Sequence, residues 1–323
     1  MALRLKLVPD NTKIDFFRWQ WLTFGSSIAL MLASFVVVAV MGLNFGIDFR
    51  GGTTIRTESA QPVDVGAYRE ALQPLGIGDV IITEVFDPTF RADQHVASIR
   101  IEAQEGSSAA STESVEKVSA ALRGIDPSIT FPSVESVGPK VSGELVQSAV
   151  LALGLAALGI GIYIWFRFEW QFAVGTILAS VHDVLVTVGI LSLFQMRFDL
   201  TTVAALLTIL GFSVNDTVVV FDRLRENLQK YKTMPLRDVM NLSVNETLSR
   251  TVMTVATTLI ALFALLIFGG DVLRGFVSAI IFGVLLGTYS SVYMAKNLVL
   301  WIGVNREPKP KSKAGTKFAD IDA

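Results

Sequence analysis

The chain contains no cysteine and only two histidines, His95 and His182, far apart in sequence. Disulfides, thiolate metal sites and cysteine nucleophiles are therefore excluded, and no histidine-rich metal site is suggested. No glycine-rich phosphate loop, metal-ligand cluster or catalytic triad occurs, so an ATPase or hydrolase reading has no support. Neither enzymatic activity nor a cofactor is expected. Charge is also scarce. Only 17% of the 323 residues are Asp, Glu, Lys or Arg, against 51% hydrophobic, and mean hydropathy is +0.54. That balance is too apolar for a soluble domain and fits a polytopic membrane protein. The net charge of −2 says little, because the charges are unevenly spread.

Six apolar runs reach the ~20 residues that a membrane span needs. They lie near residues 21–43, 145–166, 172–194, 200–221, 251–269 and 276–300. The first is too long for the apolar region of a signal peptide and has no small-residue cleavage pattern after it, so it reads as a span. Residues 1–20 then form an N-terminal tail, 44–142 a polar domain, 143–303 the other five spans with a polar loop at 222–250, and 304–323 a basic tail. Lys and Arg placement sets the orientation. Arg4, Lys6, Lys13 and Arg18 precede the first span. Arg223, Arg225, Lys230, Lys232, Arg237 and Arg250 occupy the 222–250 loop, and Arg306, Lys309, Lys311, Lys313 and Lys317 the C-terminal tail. The opposite short loops carry only Arg197 and Arg274. Both termini are expected in the cytoplasm of a multi-pass protein, with 44–142 on the outer, trans side. That segment has 8 Lys/Arg against 14 Asp/Glu. Its acidity is no objection, because long domains translocate largely regardless of charge.

The trans segment reads as strand 53–57, helix 63–75 opened by Pro62, strands 80–86 and 95–101, helix 112–122 with Ser111 as N-cap, and strand 129–137. The order is βαββαβ, a small ferredoxin-like α+β domain. The 222–250 loop reads as polar helix interrupted by Pro235. The tail after Asn305 reads as disordered and solvated rather than as a contact for anionic lipid or ribosomal RNA, so no nucleic acid partner is expected.

Asp216 stands out, in Gly211-Phe-Ser-Val-Asn-Asp-Thr-Val-Val-Val-Phe-Asp222. A carboxylate inside a membrane helix costs at least ~2.5 kcal/mol, so such a group usually faces a protein interior or a water path and carries protons or ions. The bland alternative is a packing carboxylate bonded to Asn215 and Thr217. Arg250 opens the fifth span, in Leu248-Ser-Arg-Thr-Val-Met-Thr254. It is an ordinary cytoplasmic anchor or a partner for Asp216 at similar depth, with Thr254 one turn on. His182 and Asp183, in Ser180-Val-His-Asp-Val-Leu-Val186, are the deepest ionisable pair. They clamp helices together or relay protons, with Asp183 preferred as the inward group. Lys296 can snorkel to the interface and is given no role. Gly283 and Gly287, and Ala152/Ala156 with Ala157/Gly161, have the spacing of close helix contacts. Asn44-Phe-Gly-Ile-Asp-Phe-Arg-Gly-Gly-Thr-Thr54 joins the first span to the trans domain. Gly51 and Gly52 permit a tight backbone there, Asp48 and Arg50 can pair locally, and a structural elbow is the simpler reading.

These stretches, with 181–187, 211–227, 245–254 and the lead-in Lys13-Ile-Asp-Phe-Phe-Arg18, resemble the SecF side of the SecD/SecF family of protein-export membrane proteins. That family belongs to the resistance-nodulation-division superfamily. The likeness runs from about residue 7 to 303. It implies a six-helix half of a twelve-helix pump completed by SecD, in the bacterial inner membrane. It also implies work with the SecYEG channel, usually with YajC and sometimes YidC, drawing unfolded preprotein outward on the proton gradient after SecA has pushed it in. The family's membrane aspartate falls on Asp216, its arginine on Arg250 and its threonine on Thr254. Two other classes compete. One is a scaffold that conducts no protons. The other is half of a small-molecule efflux transporter, which the small trans domain argues against.

Overall fold

A computed structural model describes residues 8–9, 12–87, 90–91, 93–102 and 112–304. In chain order the elements begin with α1 (Gln20–Met41), β1 (Asn44–Phe45), α2 (Ile47–Arg50), β2 (Gly52–Ser59) and α3 (Val65–Leu72), which a 3-10 turn at Gln73–Leu75 extends. Next come β3 (Val80–Val85), β4 (His95–Glu102), α4 (Thr112–Ile125), β5 (Thr130–Val137), α5 (Pro139–Arg167) and α6 (Trp170–Leu193). The chain continues through β6 (Arg197–Phe198), α7 (Leu200–Lys230), α8 (Leu236–Phe268) and α9 (Asp271–Ser290), then a π-helical turn at Ser291–Ala295 and α10 (Lys296–Ile302). The expected Ser111 cap and the tail after residue 304 lie outside the described residues.

Six helical runs among the described residues are long and apolar enough to cross a membrane: α1, α5, α6, α7, α8 and the run from Val272 to Ile302. They match the six expected spans. Their ends follow local chemistry. Pro139 opens α5, where its missing N–H is not needed. Asp199 caps α7 by accepting from Thr202 N, while the Thr202 hydroxyl accepts from Asp199 N. Pro235 sits immediately before α8. The polar 222–250 stretch is a continuation of α7 and α8 past the apolar spans, broken around Pro235. Arg223 bonds Glu246 across the two at 2.7 Å.

Helices differ sharply in burial. Of the most apolar stretch of α6, 56% is buried, against 17% for α5 and 6% for α8. Helices α6, α7 and α9 are therefore the packed interior. Small residues allow it: a Cβ at Gly283 would run into Ile209 on α7, and one at Gly175 would lie 2.9 Å from Ala295 O. The alanine stripe on α5 does less, for only Gly161 of those four positions is buried, against Ile177.

Between α1 and α5 lies a four-stranded antiparallel sheet of order β3-β4-β2-β5, with α3 and α4 inserted in the βαββαβ sequence. Its core packs Ile55, Leu72, Ile99, Val118 and Leu122. The small sheet β1-β6 is parallel and pairs Asn44 with Arg197 and Phe45 with Phe198. It ties the start of the domain to the α6–α7 turn.

Candidate functional site in the helix bundle

Two buried aspartates organise the bundle. Asp183, on α6, has no exposed surface. Its Oδ2 accepts from Ser213 Oγ of α7 at 2.6 Å and from Ser290 Oγ at the end of α9 at 2.7 Å. Its Oδ1 lies 2.9 Å from Nδ1 of His182, also fully buried. Three helices thus meet on one carboxylate. Sequence spacing favoured Asp183 as the inward group; the structure buries both residues, because α6 is surrounded by neighbours.

Asp216, one turn past Ser213 on α7, is 8% exposed. Asn215 precedes it on the same helix, and Arg250 acts on it through its charge. Arg250 is exposed on α8, and among the described residues the two form no direct ion pair. Asp216 opens on a cavity lined also by Ser213, Thr254, Thr258, Gly287 and Thr288, of a size for roughly one water molecule. Thr254 turns its hydroxyl to the Arg250 carbonyl at 2.9 Å, one turn back on its own helix. Thr217 is buried but bonds Ser213 O at 2.9 Å, so it is occupied within its helix. Of the residues singled out by sequence, Asp216 and Thr254 share the cavity, and Asp183 reaches its edge through Ser213. Asp222 lies apart, exposed and 3.7 Å from Arg167.

The elbow departs from the expected local pairing. Asp48 Oδ2 accepts from Leu200 N at 3.0 Å, at the first turn of α7, and Arg50 pairs with Glu102 of β4 at 3.0 Å. A carboxylate is favoured at a helix N-terminus, where backbone N–H groups lack partners, which explains why Asp48 points there. Gly51 and Gly52 have φ of +76° and +126°, conformations that a side chain would strain. The rings of Phe45, Phe49 and Phe198 pack 5.8–6.0 Å apart. The sheet domain is thereby fastened to the end of the helix that carries Asp216.

This geometry coincides with two family profiles. One, described as Protein export membrane protein SecD/SecF, C-terminal, matches residues 117–305, more than half of the chain. The other, SecD/SecF GG Motif, matches residues 36–63 and so contains the elbow. The chain belongs to the SecD/SecF family. Among its relatives, a protein translocase subunit SecF of Cereibacter sphaeroides is 69% identical over 100% of both chains. One of Rhodobacter capsulatus is 64% identical over 99% of this chain and 98% of the relative. The solved structure of SecDF from Thermus, described as a translocon-associated membrane protein, aligns with TM-score 0.80 at 35% identity. It covers 92% of this chain and 39% of that one. SecDF in a super-membrane-facing form gives 0.63 at 36% identity, over 90% and 39%.

One feature of this SecD/SecF member escaped the sequence reading. Lys296 does not snorkel. It is 1% exposed, with its Nζ 4.6 Å from the Phe16 ring, 4.7 Å from Phe17 and 5.5 Å from Tyr293, and has no hydrogen-bond partner among the described residues. Two of those rings come from the lead-in before α1, which Asn245 and Asn241 of α8 hold by bonds of 2.9–3.0 Å to Ile14 and Phe16. Tyr293 is the one wall near Lys296 in sequence; the other two are about 280 residues away, and only the Phe16–Phe17 pair hinted at buried rings in an otherwise polar tail.

Proposed function

We propose that the chain acts as the SecF-type subunit of the bacterial protein translocase. With a SecD partner it uses the proton motive force to promote preprotein movement through SecYEG after the SecA-driven steps, YajC and YidC being associated factors. Its place is the inner membrane, with both termini in the cytoplasm. One observation carries the coupling part: Asp216 is a buried carboxylate on a water-sized cavity, on a helix whose far end is held by Asp48 of the elbow.

In this reading Asp216 takes up and releases the proton, and Asp183 belongs to the same pathway. Ionised, Asp216 attracts Arg250; protonated, it does not, and α8 is freed relative to α7. Thr254, on the cavity wall, and Asn215, the carboxyl's neighbour, hold its environment through the change, and Thr217 keeps the helix regular. Movement of α7 then pulls on Asp48, and through Arg50, Gly51 and Gly52 on the sheet domain that contacts emerging polypeptide. Each charge moved across 100 mV supplies ~2.3 kcal/mol. That changes a two-state ratio roughly 50-fold, about half the free energy needed to invert a 1:99 equilibrium. The largely exposed apolar faces of α5 and α8 fit lipid and the SecD half.

The test is proton uptake by vesicles holding this chain with its SecD partner and an unfolded translocation substrate. Asp216→Asn is expected to abolish the substrate-dependent uptake. Normal export and uptake in that variant would leave only a scaffold.

A further inference from the structure

The hydrogen bonds around Asp183 are not symmetric with respect to the cavity. Ser213 and Ser290 donate to the same carboxylate oxygen at 2.6 and 2.7 Å. Only Ser213 also lines the cavity on which Asp216 opens. Gly287 adds to this, since a Cβ there would sit 3.3 Å from Ser213 Cα and 3.6 Å from Asp183 Oδ2. The absence of a side chain lets α9 come close to both Ser213 and Asp183. Beyond Asp183 the network has loose ends. Nε2 of His182 and Oγ of Ser180 are buried and have no hydrogen-bond partner among the described residues, the two residues being 0% and 2% exposed.

We infer that Ser213 is a proton-relay residue, and that the Asp183–His182 pair is a second proton station reached from Asp216 through it. The inference rests on Asp216 being the carrier. The carboxyl proton of Asp216 passes to a cavity water, which gives one of its own protons to Ser213 Oγ. The hydrogen already on Oγ moves to Asp183 Oδ2. One O–H bond breaks at Asp216 and one forms at Asp183, and water and serine end as they began. His182 touches the other oxygen of that carboxylate, Oδ1, through its Nδ1. On the far side of the cavity Asp216 of α7 is acted on by the charge of Arg250 on α8; α9 contributes the hydroxyls of Thr288 and Ser290.

A purely structural clamp predicts that the two serines matter equally, because each supplies one bond of nearly the same length to the same oxygen. A relay predicts that they do not. The experiment compares Ser213→Ala with Ser290→Ala in the vesicle uptake assay with SecD, alongside Asp216→Asn, with the thermal melting of each variant measured in parallel. Ser213→Ala is expected to slow uptake on the order of 100-fold, the low end of what a lost proton-transfer group costs, and Ser290→Ala to leave uptake nearly unchanged at the same rank of effect on melting. Ser213→Cys, which keeps an exchangeable hydrogen at that position, is expected to recover part of the rate, and it replaces Ser213→Ala if that variant does not fold. Equal effects of the two serines, or none from Ser213, overturn the relay while leaving Asp216→Asn inactive. Uptake that survives Asp216→Asn removes the carrier itself and with it this step.

Discussion

Asp183 and Asp216 are both aspartates buried in apolar helices, yet their surroundings are opposite. Asp183 accepts from two serines and touches a histidine, and has no contact with solvent. Asp216 has one neighbouring amide, a distant guanidinium and a cavity. A carboxylate that accepts from several fixed donors strands them when it is removed, because their bonds find no replacement. One with spare capacity beside a water-sized space strands little. Burial alone therefore does not measure how much structure rests on a carboxylate; the number of committed partners does.

Removing each carboxylate breaks the comparison most directly. Asp183→Leu strands His182, Ser213 and Ser290 in the interior. Breaking a buried polar set of this kind costs ~3–5 kcal/mol, and the variant is expected to melt far below wild type or to fail to accumulate. Asp216→Leu strands only an exposed Asn215 and an exposed Arg250, and is expected to stay within ~1 kcal/mol. Thermal unfolding in detergent, followed by fluorescence, measures both. Equal losses would show that Asp216 is as structurally committed as Asp183.

The seam that places both aspartates is next in size. Gly283→Ala drives a methyl into the Ile209 side chain. Overpacking of this kind costs typically ~1–3 kcal/mol, and here it would also part α7 from α9 near the cavity. A melting temperature unchanged from wild type would mean that Ile209 has another rotamer available and that the seam is looser than drawn.

The six spans, the βαββαβ domain and Asp216 were legible because each has a local signature: run length, period, or a charge where none belongs. The Asp183 network was half legible. The pair stands out in sequence, but the serines that meet it are 30 and 107 residues away, and serine is too common in membrane helices to be singled out. Asp48 misled for a related reason. Its nearest opposite charge in sequence is Arg50, whereas the stronger attraction is the unpaired N–H of a helix start about 150 residues on. Lys296 was misplaced because snorkelling assumes lipid around the last span, and the folded lead-in covers it instead. Position relative to distant elements, rather than residue type, is what the linear pattern withholds.

Lys296 gives a sharper and smaller effect. Its buried ammonium has aromatic faces but no acceptor. Cation–π attraction of up to ~2 kcal/mol works against a desolvation penalty of several kcal/mol per ion. Lys296→Met keeps the length and the ring contacts and removes that penalty, so stability is expected to stay equal or rise by up to ~1 kcal/mol, at the small end of single-site effects. A clear loss of melting temperature would show the ammonium to be a structural centre like Asp183.

The smallest effect concerns a third aspartate, outside the bundle. Asp126 accepts from Ser59 Oγ, from Ser128 N at 2.8 Å and from Ser128 Oγ at 2.7 Å. The Ser59 bond first, then those from Ser128, hold its carboxyl below the ordinary value of 3.8. It resembles Asp183 in being filled by hydroxyl donors, but it lies in the sheet domain, where water is available. Because the folded-state pKa is the lower one, the stability it contributes is fully present above about 3.8 and is lost as pH falls through the folded value. Asp126→Asn should therefore flatten the acid limb of sheet-domain stability and leave the neutral range nearly unchanged. Amide exchange in β2 and β5, corrected for intrinsic rates and compared between pH 3 and pH 6, reads this directly. An acid limb identical in wild type and variant would place the domain's acid sensitivity in other carboxylates.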